Sequence, residues 1–453
     1  MINNLSLAEL IEPLEGSLSG TSVIFSAVST DTRTLSGGEL YVALRGEAFD
    51  GNEFVGEAQA RGACAAIVSA EVVADIPLLR VADTTAALGQ LGRLNRQLSQ
   101  AKVLALTGSQ GKTTVKEMTG AILEQNAQIL LTRGNYNNAI GVPLTLMNLT
   151  KQHEFAVLEL GANAPGEIAY SVSLVRPEVV LITNAAETHL EGFGDLDGVV
   201  RTKGEIIDGV AAAGTVILNA DDPAFNEWKA RAGNKRTVAF SLRADADHAQ
   251  YRAAEIELAA EGSRFTLVTP LGSARISLPF PGGHNIANAL AAAALSMEAG
   301  ANLESVVTGL DGAKPPRGRL NVLRGRGGSI LIDDSYNASP SSFRAAIDVL
   351  AEFSGYRIVV IGDMGELGPA AEQAHRDVGK YAAKHGIDGV WSVGPLSEQA
   401  SRVFGPGGEH FATRAELVEN CLARMDANTA ILIKGSRSAG MDVVVSELKS
   451  EDN

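Results

Sequence analysis

The chain has 453 residues, 45% hydrophobic and 20% charged, a balance that suits a globular protein with more than one core. Its 53 acidic and 38 basic side chains leave a formal charge of −15, which argues against nonspecific binding to nucleic acid or to an anionic membrane, so a polyanionic ligand would need a local basic pocket. The two cysteines, Cys64 and Cys421, form no zinc or redox motif, no run reaches membrane-spanning length, and the opening MINNLSLAELIEPL lacks the basic region of a secretory signal. A reduced, cytoplasmic setting without stable membrane association is expected.

Residues 1 to about 100 read as a small α/β unit. Leu5, Leu7, Leu10 and Ile11 suggest an amphipathic opening helix, and Val23 to Val28 a strand leading into Thr30-Asp31-Thr32-Arg33. The strand Leu40 to Leu44 runs into a polar loop containing Phe49, Asp50, Gly51 and Asn52. A helix over Val55 to Arg61, a strand over Ala65 to Val68 and a helix over Thr84 to Ser99 complete the unit. On composition alone, Asp31, Arg33 and Asp50 are turn and surface residues.

From about 101 to 313, strands and helices alternate, the pattern of a mainly parallel sheet covered on both faces. Its first strand and turn are the most informative stretch of the chain, VLALTGSQGKTT from Val103 to Thr114. An apolar strand gives way to Gly108-Ser109-Gln110-Gly111, and Lys112, Thr113 and Thr114 open a helix with Val115, Met118 and Ile122 on one face. This is a phosphate-binding loop. Backbone amides and the helix N-terminus point at an anion, Lys112 reaches the outer phosphates, and Thr113 offers a hydroxyl to Mg²⁺. The usual pattern puts a glycine where Leu106 stands, so the loop is a shortened form.

The segment Thr132 to Pro143 holds Asn135, Asn137 and Asn138, as Asx turns or as amides presented to a ligand. Glu159 stands near the C-terminal end of the next strand, where open α/β sheets collect ligands, and is a Mg²⁺ candidate. His189 follows the strand Val179 to Asn184, Lys203 lies in the next helix, and Val216 to Asn219 is a further strand. Glu255 to Leu278 alternates like antiparallel strands. Pro281 to Asn285 caps an alanine-rich helix, Ile286 to Ala299, with Asn288 in its first turn. Ala313 to Arg319 contains paired prolines and reads as a linker. From about 314 to 453 a third, Rossmann-like α/β unit follows, with polar residues at strand ends: Asp333 and Asp334, then Asp363, then Lys434 to Arg437.

Together these motifs resemble the Mur ligases, the ATP-dependent amide-forming enzymes of peptidoglycan precursor synthesis, over the whole chain. TGSQGKTT has the family's shortened loop. GNYNNAIGVP, ELGANAPGEI, DDSYNASP and GDMGELG are most similar to the members that add D-alanyl-D-alanine to a UDP-N-acetylmuramoyl-tripeptide. The resemblance implies a three-domain α/β fold: a UDP-sugar-binding unit, a central ATP-binding domain and a C-terminal ligase domain. It also implies ATP and Mg²⁺ as cofactors and an acyl-phosphate route; a monomer is expected because no stretch of the sequence resembles a dimer helix or zipper. It assigns Gly108 to Thr114 to the ATP phosphates, with Lys112 on the β/γ-phosphates. Thr113, Glu159 and His189 would hold Mg²⁺, and Asn137 and Asn138 would line the phosphate and acyl site. Lys203 matches a position often carbamylated in the family, or serves as a plain lysine on phosphate. Asn288 would contact adenine, Arg319 a phosphate, and Asp333 the ribose. Thr30, Asp31, Arg33 and Phe49 to Asn52 would hold the UDP-sugar, and Asn337, Asp363, Lys434, Ser436 and Arg437 would face the acceptor amine and peptide. Asn52 stands where the family often has histidine, and TDTR where a serine often precedes the arginine.

Overall fold

The strand Lys102–Thr107 lies within a nine-stranded sheet, hydrogen-bonded in parallel to Phe155–Glu159 on one side and to Val179–Ile182 on the other. Its side chains alternate between two cores. Val103 and Ala105 pack with Val142, Ile168 and Trp228, while Leu104 and Leu106 pack with Val115, Met118 and Ile122 of the helix Lys112–Leu123. That period of two, with both faces apolar, is what a parallel strand buried between helical layers requires. The computed structural model describes residues 1–450, apart from Glu47 and His189.

Thr215–Asn219 and Arg236–Ser241 extend the sheet in parallel, and Tyr251–Ala259, Gly262–Thr269 and Gly272–Leu278 close that edge as an antiparallel meander. The strand Arg236–Ser241 is absent from the sequence reading, since its apolar core is only Val238, Ala239 and Phe240. The alanine-rich helix, Gly283–Ala299, packs its small side chains against the same core as the phosphate-loop helix.

In the N-terminal unit the expected opening helix shrinks to Leu7–Leu10, and the expected strand over 23–28 splits into the short pieces Ile24–Phe25 and Val28–Ser29. Their apolar runs are too short and interrupted to sustain longer elements. A five-stranded sheet forms there, and the helix Thr84–Gln97 joins it to the central body. Glycines let that helix approach closely: a Cβ at Gly89 would lie 2.2 Å from Tyr170 Oη, and one at Gly92 2.9 Å from Pro143 Cα. Asn95 then donates to the carbonyls of Leu146 and Leu149, and Arg96 to that of Val175.

Residues 313–320 carry no helix or strand and lead into a six-stranded sheet. Asn321–Arg324 forms an antiparallel edge, followed by Ile330–Asp334, Thr429–Lys434, Tyr356–Gly362, Gly389–Val393 and Gly408–Phe411, all parallel. The parallel strands point their C-terminal ends, with Asp334 and Lys434 on neighbours, toward the phosphate loop of the central sheet.

Candidate active site

The loop after Lys102–Thr107 is shaped by two glycines. Gly108 has φ +145° and Gly111 φ +80°, conformations that L side chains rarely adopt. Space forbids a side chain as well. A Cβ on Gly108 would fall 1.9 Å from Thr183 Oγ1, and one on Gly111 2.3 Å from Asn288 Oδ1. The loop is stitched to the neighbouring strand end: Ser109 N–H donates to Asn184 O, Ser109 Oγ to Ala186 O, and Gln110 N–H to Asn184 Oδ1. Lys112 opens the helix, and its Nζ folds over the loop to donate to Gly108 O at 2.7 Å and Ser109 O at 3.3 Å. Burial pushes this ammonium down, Glu159 opposes the shift, and the charge of Arg319 adds to it.

Glu159 is 2% exposed. One carboxylate oxygen accepts from Thr113 Oγ1 at 2.9 Å and the other from Asn137 Nδ2 at 2.8 Å. The threonine of the phosphate loop and the strand-end carboxylate are therefore in contact. These hard oxygens fit a small divalent cation. Asn138 uses its Oδ1 to accept from Ile140 and Gly141 N–H, which starts the helix Gly141–Met147.

Lys203 is almost completely buried, with Nζ 5.3 Å from the centre of the Phe193 ring. Burial, reinforced by the charge of Lys112, pulls its ammonium down to about 7, against the pull of Glu167 and Glu205. His189 lies outside the described residues.

A cleft of about 730 Å³ gathers these groups with others from across the linker. Ser109 to Thr114, Asn137, Asn138 and Glu159 line it from the central domain, together with Asn288. Arg319 enters from the linker, stacked 4.4 Å over the Tyr336 ring. The third unit contributes Asn337, Lys434, Ser436 and Arg437. Lys434 is buried, ion-paired with Asp334, and donates to Asn337 O at 2.9 Å. Arg437 is exposed and lies 3.2 Å from Asp442.

Other residues singled out in the sequence have internal partners. Asp333 accepts from Gly318 N–H and from Ser335, so it fastens the linker, and its neighbour Asp334 lines the cleft. Asp363 accepts from Leu396 and Ser397 N–H at one oxygen, anchors that turn, and does not line the cleft. Asn52 is buried and ties its loop to the next strand end. Its Nδ2 donates to Asp50 Oδ1 and Ser69 Oγ, and its Oδ1 accepts from Ser69 N–H. Gly51 has no room for a side chain, since a Cβ would sit 2.4 Å from Leu44 O.

Around that loop Phe49 is 56% exposed, Asp50 pairs with Arg45, and Asp31 accepts from Arg33 on an open surface beside Thr30. Arg33 holds the Asp31 carboxyl down at about 2. These residues form a separate polar face of the N-terminal unit and do not line the 730 Å³ cleft.

The cleft also contains His284, which the sequence reading did not pick out, the Asn135 amide, and Tyr336 and Gly365 to Leu367, which lie in quoted motifs but were given no role of their own. Burial and the nearby charge of Lys434 push the His284 imidazole down to about 4, so it is neutral at pH 7. Its signal was available, because it stands next to Asn285 in the first turn of the helix that presents Asn288. The loop Gly365 to Leu367 is held from behind by His375, whose Nε2 accepts from Met364 N–H while Nδ1 bonds Ala371 O.

Comparison with known proteins assigns the chain in three consecutive parts. Residues 25–96 match the Mur ligase family catalytic domain, 106–296 the Mur ligase middle domain, and 318–437 the Mur ligase glutamate ligase domain. The chain is 48% identical over 449 residues to the UDP-N-acetylmuramoyl-tripeptide–D-alanyl-D-alanine ligase of Escherichia coli, covering 98% of both proteins. A crystal structure of MurF from Acinetobacter baumannii superposes with a TM-score of 0.91 at 38% identity, over 98% of this chain and 99% of that one. The MurF ligase of Thermotoga maritima, solved in complex with ADP, gives a TM-score of 0.83 at 26% identity, over 93% and 96%.

Proposed function

The chain belongs to the Mur ligase family, and from that premise we propose that it joins D-alanyl-D-alanine to the terminal carboxylate of UDP-N-acetylmuramoyl-tripeptide, with ATP cleaved to ADP and phosphate. The observation that carries this reading is the single cleft in which a phosphate loop and a Thr113–Glu159 pair face the Lys434–Asp334–Asn337 cluster across the linker.

The chemistry follows from the charges. A carboxylate resists attack by an amine because oxide is a poor leaving group. The tripeptide carboxylate attacks the γ-phosphorus of ATP, ADP departs, and an acyl phosphate forms. The free amine of D-alanyl-D-alanine then attacks the acyl carbon, and phosphate leaves from the tetrahedral intermediate as the amine loses its proton. The first step brings an anion against a polyanion, so positioned positive charge and amide donors carry most of the catalysis.

In this reading Lys112 moves from the carbonyls of Gly108 and Ser109 onto the β/γ-phosphates, with the loop amides around it. Thr113 and Glu159 would hold Mg²⁺, which would neutralise phosphate charge, and the family resemblance would add His189 to that set. Arg319 faces a phosphate, Asn288 stands by the base, and Asp333, which also fastens the linker through Gly318, is the residue assigned to the ribose. The face of Thr30, Asp31, Arg33 and Phe49 takes the uridine end, while Asn337, Lys434, Ser436 and Arg437 receive the dipeptide. We place the reaction in the cytoplasm, where ATP and nucleotide sugars are available, and assign a monomer. Among the described residues no helix is long and apolar enough to cross a membrane.

The test is phosphate release with ATP and Mg²⁺ while each of the other two substrates is omitted in turn. The reading requires phosphate in step with a pentapeptide product only when both are present. Release that ignores both substrates would overturn it.

A further inference from the structure

Gln110 belongs to the phosphate loop, yet its side chain leaves the loop and crosses to the third unit. Its backbone is fixed to the central sheet: N–H donates to Asn184 Oδ1 at 2.9 Å, and the carbonyl accepts from Thr183 Oγ1 at 2.6 Å and Asn184 Nδ2 at 3.2 Å. The carboxamide Nε2 donates to Ser339 Oγ at 3.2 Å and to Ser341 Oγ. An amide nitrogen carries two hydrogens, so both bonds can be made at once. Ser339 is the N-cap of the helix Pro340–Ala351, and Ser341 lies in its first turn.

That helix reaches the acceptor side of the cleft. Its Phe343 is fully buried and lies under Lys434, whose Nζ is 5.6 Å from the ring centre. Lys434 in turn binds Asp334 and Asn337 O. A continuous set of contacts thus runs from the backbone of the phosphate loop to Lys434 and Asn337. A shift of the helix by the length of one lost hydrogen bond would move Phe343 and, with it, Lys434.

We propose that Gln110 is a positioning residue: it fixes the helix Pro340–Ala351, and through it Lys434 and Asn337, in register with the phosphate loop. The proposal rests on the ligase reading above. Its side chain serves the second half-reaction, while its backbone holds the loop to the central sheet.

The experiment is a double-mutant cycle on the full-length enzyme with Gln110→Ala, Ser341→Ala and the pair, following kcat and the KM of each substrate. Ser341 is used because Ser339 caps the helix. Each single change should lower kcat or raise the dipeptide KM by roughly 3- to 10-fold, the range of one neutral hydrogen bond, and leave the ATP KM within about twofold. The double variant should be no worse than the poorer single variant, and Ser341→Thr, which keeps the hydroxyl, should behave as wild type. Multiplicative losses in the double variant, or an increase confined to the ATP KM, would overturn the proposal. A wild-type enzyme that makes no pentapeptide would instead overturn the ligase reading, so the two failures are distinct.

Discussion

Lys203 is a charged group in a place that disfavours charge, and replacing it should separate stability from activity. Its side chain is 1% exposed, and burial brings its ammonium from 10.5 down to about 7. At about 1.4 kcal/mol per tenfold change, keeping the proton there costs on the order of 5 kcal/mol relative to water. A methionine of similar length would rest its sulfur against Phe193, a favourable contact. Discounting for imperfect packing, Lys203→Met should stabilise the protein by about 2 kcal/mol near pH 7, or roughly 4–8 °C in the melting temperature of a domain this size.

The sign with pH follows from proton counting. Between about 7 and 10.5 the unfolded lysine holds a proton that the folded one has released, so wild-type stability rises with pH across that window. The advantage of the variant should be full at pH 7 and below, and should shrink toward pH 10. Differential scanning calorimetry from pH 6 to 9.5 measures this, and pentapeptide synthesis should be lost in the same variant. The neutral amine that dominates above pH 7 is also the form that adds CO₂. Bicarbonate should therefore raise the activity of wild-type protein desalted at low pH and leave the variant unchanged. A variant that melts below wild type at pH 6–7 and still makes product would refute the reasoning.

Gly111→Ala combines a forbidden φ with a methyl 2.3 Å from Asn288 Oδ1. It should weaken binding of a nonhydrolysable ATP analogue at least about tenfold by titration calorimetry, with little effect on binding of the nucleotide sugar. Asn52→Ala leaves Ser69 N–H without its acceptor and unties the loop from the next strand end. It should lower stability by about 1–3 kcal/mol in urea unfolding and raise the KM for the nucleotide-tripeptide through loss of loop order. Acid should loosen the protein through His284 and His375, whose folded forms resist protonation. Their contribution is complete above 6.5 and declines as pH falls from there toward about 4, where His284 finally accepts a proton. The melting temperature should drop between pH 6.5 and 4.5, and less steeply in His284→Gln.

What could be read from the sequence, and what could not, divides by the range of the interaction. The phosphate loop was legible because every element of it is local: an apolar strand, glycines at the two positions of positive φ, and a lysine and threonine at the first turn of a helix. The pairing of Thr113 with Glu159 was inferable for a related reason. Parallel strands must put their C-terminal ends side by side, so a carboxylate at one end meets a hydroxyl just past the next. Asp363 and Asn52 show where such reasoning stops. Each is a polar residue after a strand or within a loop, the type of position that ligands use. Yet Asp363 is taken by amides at Leu396 and Ser397, and Asn52 by Ser69, partners that no local spacing reveals. Gln110 carries the same limit one step further. Sequence assigned it to the loop, which its backbone obeys, whereas its side chain answers to serines 229 and 231 residues away. A residue can therefore obey a local motif with its main chain and a domain interface with its side chain. The Gln110–Ser341 cycle separates the two, because substitution removes only the second.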